Sequence, residues 1–356
     1  MKPLKLIPAN DSFRALQLAV DVLDGAVAGF ITPAEVLGVM PEVHGLPDQV
    51  PDRIGFIVES SGSTGSPKRI SLSTDALLAS ANASAKRIGS GQWLLALPTN
   101  FIAGINVLIR SVVADTQPIL MNTQVPFTPE AFVRGSALMT EDRYTSLVPH
   151  QLSKLLQAAR EDAFVFSELR KFKAILVGGQ QPNWADVLEL QTMGVNVIVS
   201  YGMTETCGGC VYDGVPLDGV KVRLLDERIA ISGPTLAEDL GDEFLTNDLG
   251  QFVDGRLEVI GRADRVIVSG GLKVSLDRVE EAALALDDVQ EVCAVAIESH
   301  WGQSVGLVYV GGERDFHELE ELTIAARPQR LLKLTSIPRL SSGKPDLIEV
   351  QRLLAG

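Results

Sequence analysis

Between residues 54 and 199, short apolar runs of β type alternate with segments of helical period. A chain patterned in this way folds as an α/β domain with largely parallel strands. Strands are expected at 54–58, 69–72, 93–97, 144–148, 173–177 and 195–199. Helices are expected at 74–87, capped by Ser73 or Thr74, at 104–114, at 151–160 and between the last two strands. After about residue 216 the pattern changes to short strands at 220–225, 228–232, 243–245 and 256–260, a small β-rich subdomain. The last segment is expected to hold a helix at 276–286, strands at 292–297 and 305–310, and a helix at 313–326. Domains are therefore expected at 1–262 and 263–356.

Composition narrows the function classes. A chain of 356 residues buries roughly three quarters of its unfolded surface and needs no staples. Its three cysteines suit a reducing cytosol rather than a disulfide scaffold, so a cytoplasmic location is expected. The start, through Pro3 and Pro8, is too broken for a signal peptide, and no apolar run is long enough to span a membrane. A net charge of −14 disfavours nucleic acid and anionic membranes as partners. An anionic ligand must then be held by a local positive site.

The nine residues from Ser60 to Lys68 hold four serines, a threonine, two glycines, a proline and one lysine, and follow the apolar run 54–58. Glycines let successive N–H groups point into one concavity, hydroxyls add donors without bulk, and Lys68 adds a charge that polyphosphate can pair with. The spacing from Gly62 is Gly-x-x-Gly-x-x-Lys, which is not a Walker A loop. The bland alternative is a solvated Gly/Ser linker. Ser200 to Thr206, read Ser-Tyr-Gly-Met-Thr-Glu-Thr, follows a strand and so lies where an α/β sheet binds ligands. Tyr201 offers an aromatic face, Thr204 a hydroxyl, and Glu205 a hard oxygen ligand for Mg²⁺. Alone, this is a turn with a capping acid. Three further stretches follow: Thr246-Asn247-Asp248-Leu249-Gly250, the run from Gly261 to Val274, and Ser341-Ser342-Gly343-Lys344-Pro345-Asp346.

These five stretches, in this order, resemble the adenylate-forming superfamily of acyl-CoA synthetases, carrier-domain adenylation domains and luciferases, from about residue 54 to the C-terminus. The resemblance implies the adenylate-forming α/β fold. It has a large N-terminal domain binding ATP and an acid, with a small β-rich subdomain, and a small mobile α+β C-terminal domain. It implies that Ser60, Ser61, Gly62, Ser63, Thr64, Gly65 and Lys68 cradle the ATP phosphates. Gly178, Gly179 and Gln180, with Tyr201 and Gly202, line the adenine pocket. Thr204 reaches a phosphate and Glu205 holds Mg²⁺. Asp248 binds the ribose hydroxyls, assisted by Arg262, and Asp264 is the hinge. Lys344 reaches the reacting carboxylate and α-phosphate, and the loop with Gly271 and Lys273 approaches when the thiol attacks. The implied co-substrates are a small carboxylic acid, ATP and coenzyme A, with Mg²⁺ as cofactor.

The stretch from Thr204 to Val220 also resembles short actinobacterial o-succinylbenzoate–CoA ligases of menaquinone biosynthesis. Only about fifty residues precede the first strand recognised above, so the usual N-terminal subdomain is expected to be truncated. Phe101 stands where the superfamily often has a histidine, Asn247 replaces the usual glycine of the ribose motif, and Val268 stands where a lysine often follows the isoleucine. Cys207-Gly208-Gly209-Cys210 is a C-x-x-C without a second pair or a nearby histidine, so Gly208 and Gly209 are read as making room for the acyl group rather than as part of a metal site. His150 follows a strand end that in the superfamily faces the acyl pocket, and is read as a substrate contact, the alternative being an ordinary loop histidine. Arg110 is a second choice, while His44, His300 and His317 lack a partner pattern. Within the class, the alternatives are another aryl- or acyl-CoA ligase or a carrier-loading adenylation enzyme. Outside it, the alternative is a nucleotide-binding protein without chemistry.

Overall fold

The computed structural model describes residues 1–36, 39–60, 68–299, 302–340 and 343–355. By internal contacts the chain divides into two units, Met1–Val222 with Ile231–Phe244, and Arg223–Ala230 with Leu245–Gly356. No helix among the described residues is long and apolar enough to cross a membrane.

The first unit contains a seven-stranded sheet, in the order Val215–Pro216, Gly208–Tyr212, Val197–Met203, Phe172–Gly178, Arg143–Leu147, Gln92–Leu95, Ile119–Leu120. The five strands from Val197–Met203 onward are parallel, and the other two add antiparallel at one edge. Burial on both faces explains why the central strands read as apolar runs rather than alternating ones. One face packs on the helices Pro129–Ala137, Pro149–Glu161, Ala163–Leu169 and Trp184–Thr192 through Phe132, Leu152, Leu155, Leu190 and Phe172. On the sheet's other side, helix Ile102–Val113 is buried along most of its length.

A second sheet, in the order Gln49–Val50, Lys2–Pro8, Ala28–Thr32, Ile54–Ser60, Lys68–Ser73, corrects the view that the first strand lies near residue 54. Lys2–Pro8 and Ala28–Thr32 pair in parallel, with helix Ser12–Leu23 between them. Asp11 caps that helix by accepting the Arg14 N–H at 2.9 Å. The region was hard to read because prolines sit at both ends of the first strand, and the helix has no acid in its first turn or base in its last. Ile54–Ser60 and Lys68–Ser73 pair antiparallel, in a register that sets Ser60 opposite Lys68.

In the second unit, the strand expected at 243–245 runs on as Glu243–Val253 and so carries Asp248, pairing antiparallel with Arg256–Arg262. Val266–Ser269 and Leu272–Ser275 form a hairpin. Helix Leu276–Leu284 follows, capped by Ser275 Oγ, which accepts the Arg278 N–H at 3.3 Å. Strands Val289–Ser299 and Gly302–Gly311 are each longer than expected.

The helix expected at 313–326 is replaced by two single turns, His317–Glu321 and Ile324–Ala326. Phe316 is fully buried, its ring edge-on to Tyr309 at 4.8 Å, and its backbone takes the left-handed conformation at φ 55°. Thr323 is extended between the turns. Burial of one aromatic ring thus overrides the local helical pattern. The C-terminal helix Leu347–Ala355 was not foreseen.

Candidate active site

The parallel strands of the seven-stranded sheet end side by side, and their carboxyl ends carry the first group of expected residues. Gly178 closes Phe172–Gly178, and Gly179 and Gln180 follow it. Tyr201 and Gly202 lie at the end of Val197–Met203, one register step beyond the Ser200–Gly178 pair. His150 sits in the first turn of helix Pro149–Glu161, just past strand Arg143–Leu147. A Cβ on Gly178 would lie 2.5 Å from the Ser200 carbonyl oxygen, and one on Gly202 would lie 2.0 Å from the Gly208 carbonyl oxygen, so both positions exclude side chains.

Thr204 and Glu205 open a single 3-10 turn, Thr204–Thr206. The fully buried Thr206 holds this turn in shape. Its hydroxyl accepts the Met203 N–H at 3.0 Å and donates toward Gly208 O at 2.8 Å. Cys207 then turns back in the left-handed region, φ 51°. Its carbonyl accepts from Asn106 Nδ2 at 2.8 Å and Ser80 Oγ at 3.2 Å. The Ala237 N–H donates to the Glu205 carbonyl at 2.8 Å, and the next N–H, of Glu238, donates to the Ser71 carbonyl at 2.9 Å. Two adjacent amides therefore tie the Glu205 turn to the strand that begins at Lys68.

The side chains of Thr204 and Glu205 make no hydrogen bond or ion pair with the described residues, and neither does the Lys68 ammonium. A half-buried carboxylate and a hydroxyl without partners among the described residues form an oxygen-only donor set that fits Mg²⁺ and phosphate rather than a soft metal. Ser60 Oγ donates to the Lys68 carbonyl at 3.3 Å, which closes the base of the hairpin. Ser61, Gly62, Ser63, Thr64 and Gly65 lie outside the described residues, as do Ser341, Ser342 and His300.

The Cys-Gly-Gly-Cys stretch is close-packed. A Cβ on Gly208 would meet Asn106 Nδ2 at 2.4 Å, and one on Gly209 would meet Ser200 Oγ at 2.0 Å. Cys207 and Cys210 are fully buried, and burial pushes both thiols up, Cys210 to about 12. Neither is poised for redox or metal chemistry.

Asn106 and Arg110 are polar residues four apart on a largely apolar helix, and so share one face. Arg110 is 7% exposed. Its Nη2 donates to Tyr212 Oη at 3.0 Å, and Tyr212 Oη lies 2.9 Å from Ser84 Oγ. The guanidinium stacks over Trp93, 5.0 Å from the ring centre. No carboxylate among the described residues pairs with it, and its Nε has no partner. The adjoining cavity, lined by Ser84 and Gly89 among others, is ≈ 10 Å³, room for about one water. The sequence signal for Asn106 is this spacing on the helix.

The second unit holds the other group. Asp248 and Arg262 face each other across paired strands, Nη1 3.1 Å from Asp248 Oδ1. Asp248 is 7% exposed, and its N–H donates to Thr246 Oγ1 at 3.0 Å. Arg262 also forks onto Asp264, in the turn Ala263–Arg265. Gly271, φ 82°, makes the tight turn of the hairpin that presents exposed Lys273. Lys344 is exposed in a turn closed by Leu340 N–H donating to the Lys344 carbonyl at 2.8 Å. His44 and His317 are exposed, the latter 2.9 Å from Asp315.

Residues 13–234 match the model of the AMP-binding enzyme family. The chain is 38% identical, over 87% of both chains, to the probable 2-succinylbenzoate–CoA ligase of Mycobacterium tuberculosis H37Rv. It is 27% identical to the 2-succinylbenzoate–CoA ligase of Escherichia coli K12, over 82% of this chain and 67% of that one. In fold it resembles o-succinylbenzoate CoA synthetase from Bacillus subtilis in complex with the acyl-adenylate intermediate OSB-AMP. The TM-score is 0.72 at 21% identity, covering 94% of this chain and 81% of that one.

Proposed function

The chain belongs to the AMP-binding enzyme family, and from that premise we propose that it is an AMP-forming acid–thiol ligase. Its substrate is o-succinylbenzoate, activated as the acyl-adenylate and transferred to CoA in menaquinone biosynthesis. The observation that carries the chemistry is the half-buried Glu205 carboxylate without a partner among the described residues, in a turn tied by Ala237 and Glu238 to the strand that begins at Lys68. The choice of acid is supported by the likeness to ligases named for 2-succinylbenzoate.

The chemistry has two halves. The acid's carboxylate attacks the α-phosphorus of ATP, forming the P–O bond of the acyl-adenylate and releasing pyrophosphate. The thiol of CoA then attacks the acyl carbon and displaces AMP. A carboxylate is already ionised at neutral pH, so the first half needs no strong base, only positioning and charge neutralisation. Lys68 and the loop before it take the phosphates, Tyr201 and Gly178 to Gln180 the adenine, and Asp248 with Arg262 the ribose. Glu205, beside Thr204, would hold Mg²⁺, which offsets charge on the phosphate oxygens. Lys344 meets the reacting carboxylate and α-phosphate in the first half. The hairpin with Gly271 and Lys273 approaches in the second, after residues 263–356 pivot at Asp264.

The succinyl carboxylate is the one activated, so the ring carboxylate stays anionic inside a protein of charge −14. Burying it without a partner would cost several kcal/mol. His150 is proposed to meet it, with Arg110 a second choice. His150 stands at the carboxyl edge of the sheet. Arg110 is a buried cation with no carboxylate partner among the described residues, and the cavity beside it has room for about one water. The test is pyrophosphate release from ATP with o-succinylbenzoate, benzoate or succinate. Release with o-succinylbenzoate alone is expected. Equal release with benzoate points instead to a general aryl-CoA ligase, and no release with any acid to a nucleotide-binding protein without chemistry.

A further inference from the structure

Asp277 lies in the first turn of helix Leu276–Leu284, outside every motif named above. One of its carboxylate oxygens, Oδ2, accepts the backbone N–H of Arg262 at 2.7 Å. The other, Oδ1, lies 2.7 Å from Arg265 Nε. The carboxylate therefore holds one residue on each side of Asp264: Arg262, just before the short turn Ala263–Arg265, and Arg265, its last residue. The approach depends on Gly261, since a Cβ there would lie 2.9 Å from Asp277 Oδ2.

The two contacts differ in kind. Arg265 is anchored further into the same body: its Nη2 donates to Glu280 Oε1 at 2.6 Å and to the Ala294 carbonyl at 3.1 Å. Glu280, on the same helix as Asp277, also accepts the Ala294 N–H at 2.7 Å. Arg265, Asp277 and Glu280 thus move together with helix Leu276–Leu284 and strand Val289–Ser299. Arg262 lies on the other side of Asp264, at the end of the strand paired with the one carrying Asp248. A turn about the Asp264 backbone leaves the Arg265–Asp277 pair intact but must break the bond from Arg262 N–H to Asp277. Both side chains of the surviving pair are mostly buried, at 17% and 14% exposure, and their charges still neutralise each other after the break. The carboxylate is therefore never left buried alone, which is what would otherwise make such a break prohibitive.

We propose that Asp277 is a positioning residue for the two-step reaction, a latch whose bond to the Arg262 amide holds the chain on either side of Asp264 in the present orientation and sets the balance between the half-reactions. This rests on the proposed function and on the pivot at Asp264. In Asp277→Ala the latch is absent, so the orientation seen here is less populated. The ratio of the adenylation rate to the rate of thioester formation from supplied acyl-adenylate should shift by about tenfold, the worth of one hydrogen bond to a charged acceptor.

The experiment measures both half-reactions in the full-length protein, with thermal unfolding and backbone hydrogen exchange at Arg262 and Ala294. The expected result is a shifted ratio with faster exchange at Arg262 and unchanged protection at Ala294. Equal loss in both half-reactions, or an unchanged ratio, overturns the latch. If Asp277→Ala does not fold, Asp277→Asn, which keeps the volume but loses the charge, is read the same way, and a ratio within about threefold of wild type overturns the latch. If the wild type activates no acid, the proposed function fails. The latch is then judged by exchange alone: slow exchange at Arg262 that the Asp277 variants abolish supports it, and equal exchange in both overturns it.

Discussion

Arg262 and Asp264, two residues apart, form a forked ion pair, with Nε 2.8 Å from Oδ1 and Nη2 2.6 Å from Oδ2. The remaining guanidinium nitrogen reaches Asp248. The hydrogen bond from Arg262 holds the Asp264 carboxyl below its ordinary range, so the pair's stabilisation is complete above that range and is lost only as pH falls through the lowered value. At neutral pH the proposed hinge is thus ionised and tied to the residue beside the proposed ribose site. Asp264→Pro fixes φ near −65° and is expected to impair one half-reaction far more than the other. Equal effects on both, or none, would argue against a hinge at this position.

Lys344 is proposed to act in adenylation alone. Removing a charge aimed at the transition state costs about 10²–10³ in rate, by analogy with lost oxyanion donors. Lys344→Ala is expected to lose acid-dependent pyrophosphate release by that factor while still converting a supplied acyl-adenylate to thioester. The assignment is wrong if a folded variant loses both half-reactions equally.

Glu205→Gln keeps the shape of the side chain and removes the charge that a hard cation prefers. The adenylation rate is expected to fall, and the Mg²⁺ concentration for half-maximal rate to rise about tenfold. A Mg²⁺ titration that superimposes on that of the wild type would remove Glu205 from the metal site.

The three cysteines are all buried, and burial raises each thiol. At pH 8 a thiol reagent is expected to label none of them in the folded protein and all three after denaturation. Rapid labelling of Cys207 or Cys210 in the native state would reopen a chemical role for the C-x-x-C.

What the sequence made legible was what local physics dictates. The apolar runs at 93–97 and 173–177 are central parallel strands, and their patterning could mean little else. The Thr204 and Glu205 turn was legible because it follows such a strand. What escaped was set by tertiary packing. The buried Phe316 breaks an expected helix, a packing event that no local signal fixes. The partners of Asp277 and of Arg110 were not legible, because neither partner set is close in sequence.

The central claim is that the acid is o-succinylbenzoate, with its ring carboxylate held by a hydrogen-bonding or cationic group of the protein. The direct measurement is kcat/KM for ATP- and CoA-dependent thioester formation with o-succinylbenzoate and with 4-phenyl-4-oxobutyrate, which lacks only the ring carboxylate. A site built to pair that carboxylate rejects the analogue by about 10² or more. The account predicts such a preference in the wild type and its collapse in Arg110→Met or His150→Ala, whichever residue is the partner. Equal kcat/KM for the two acids in the wild type would contradict the account.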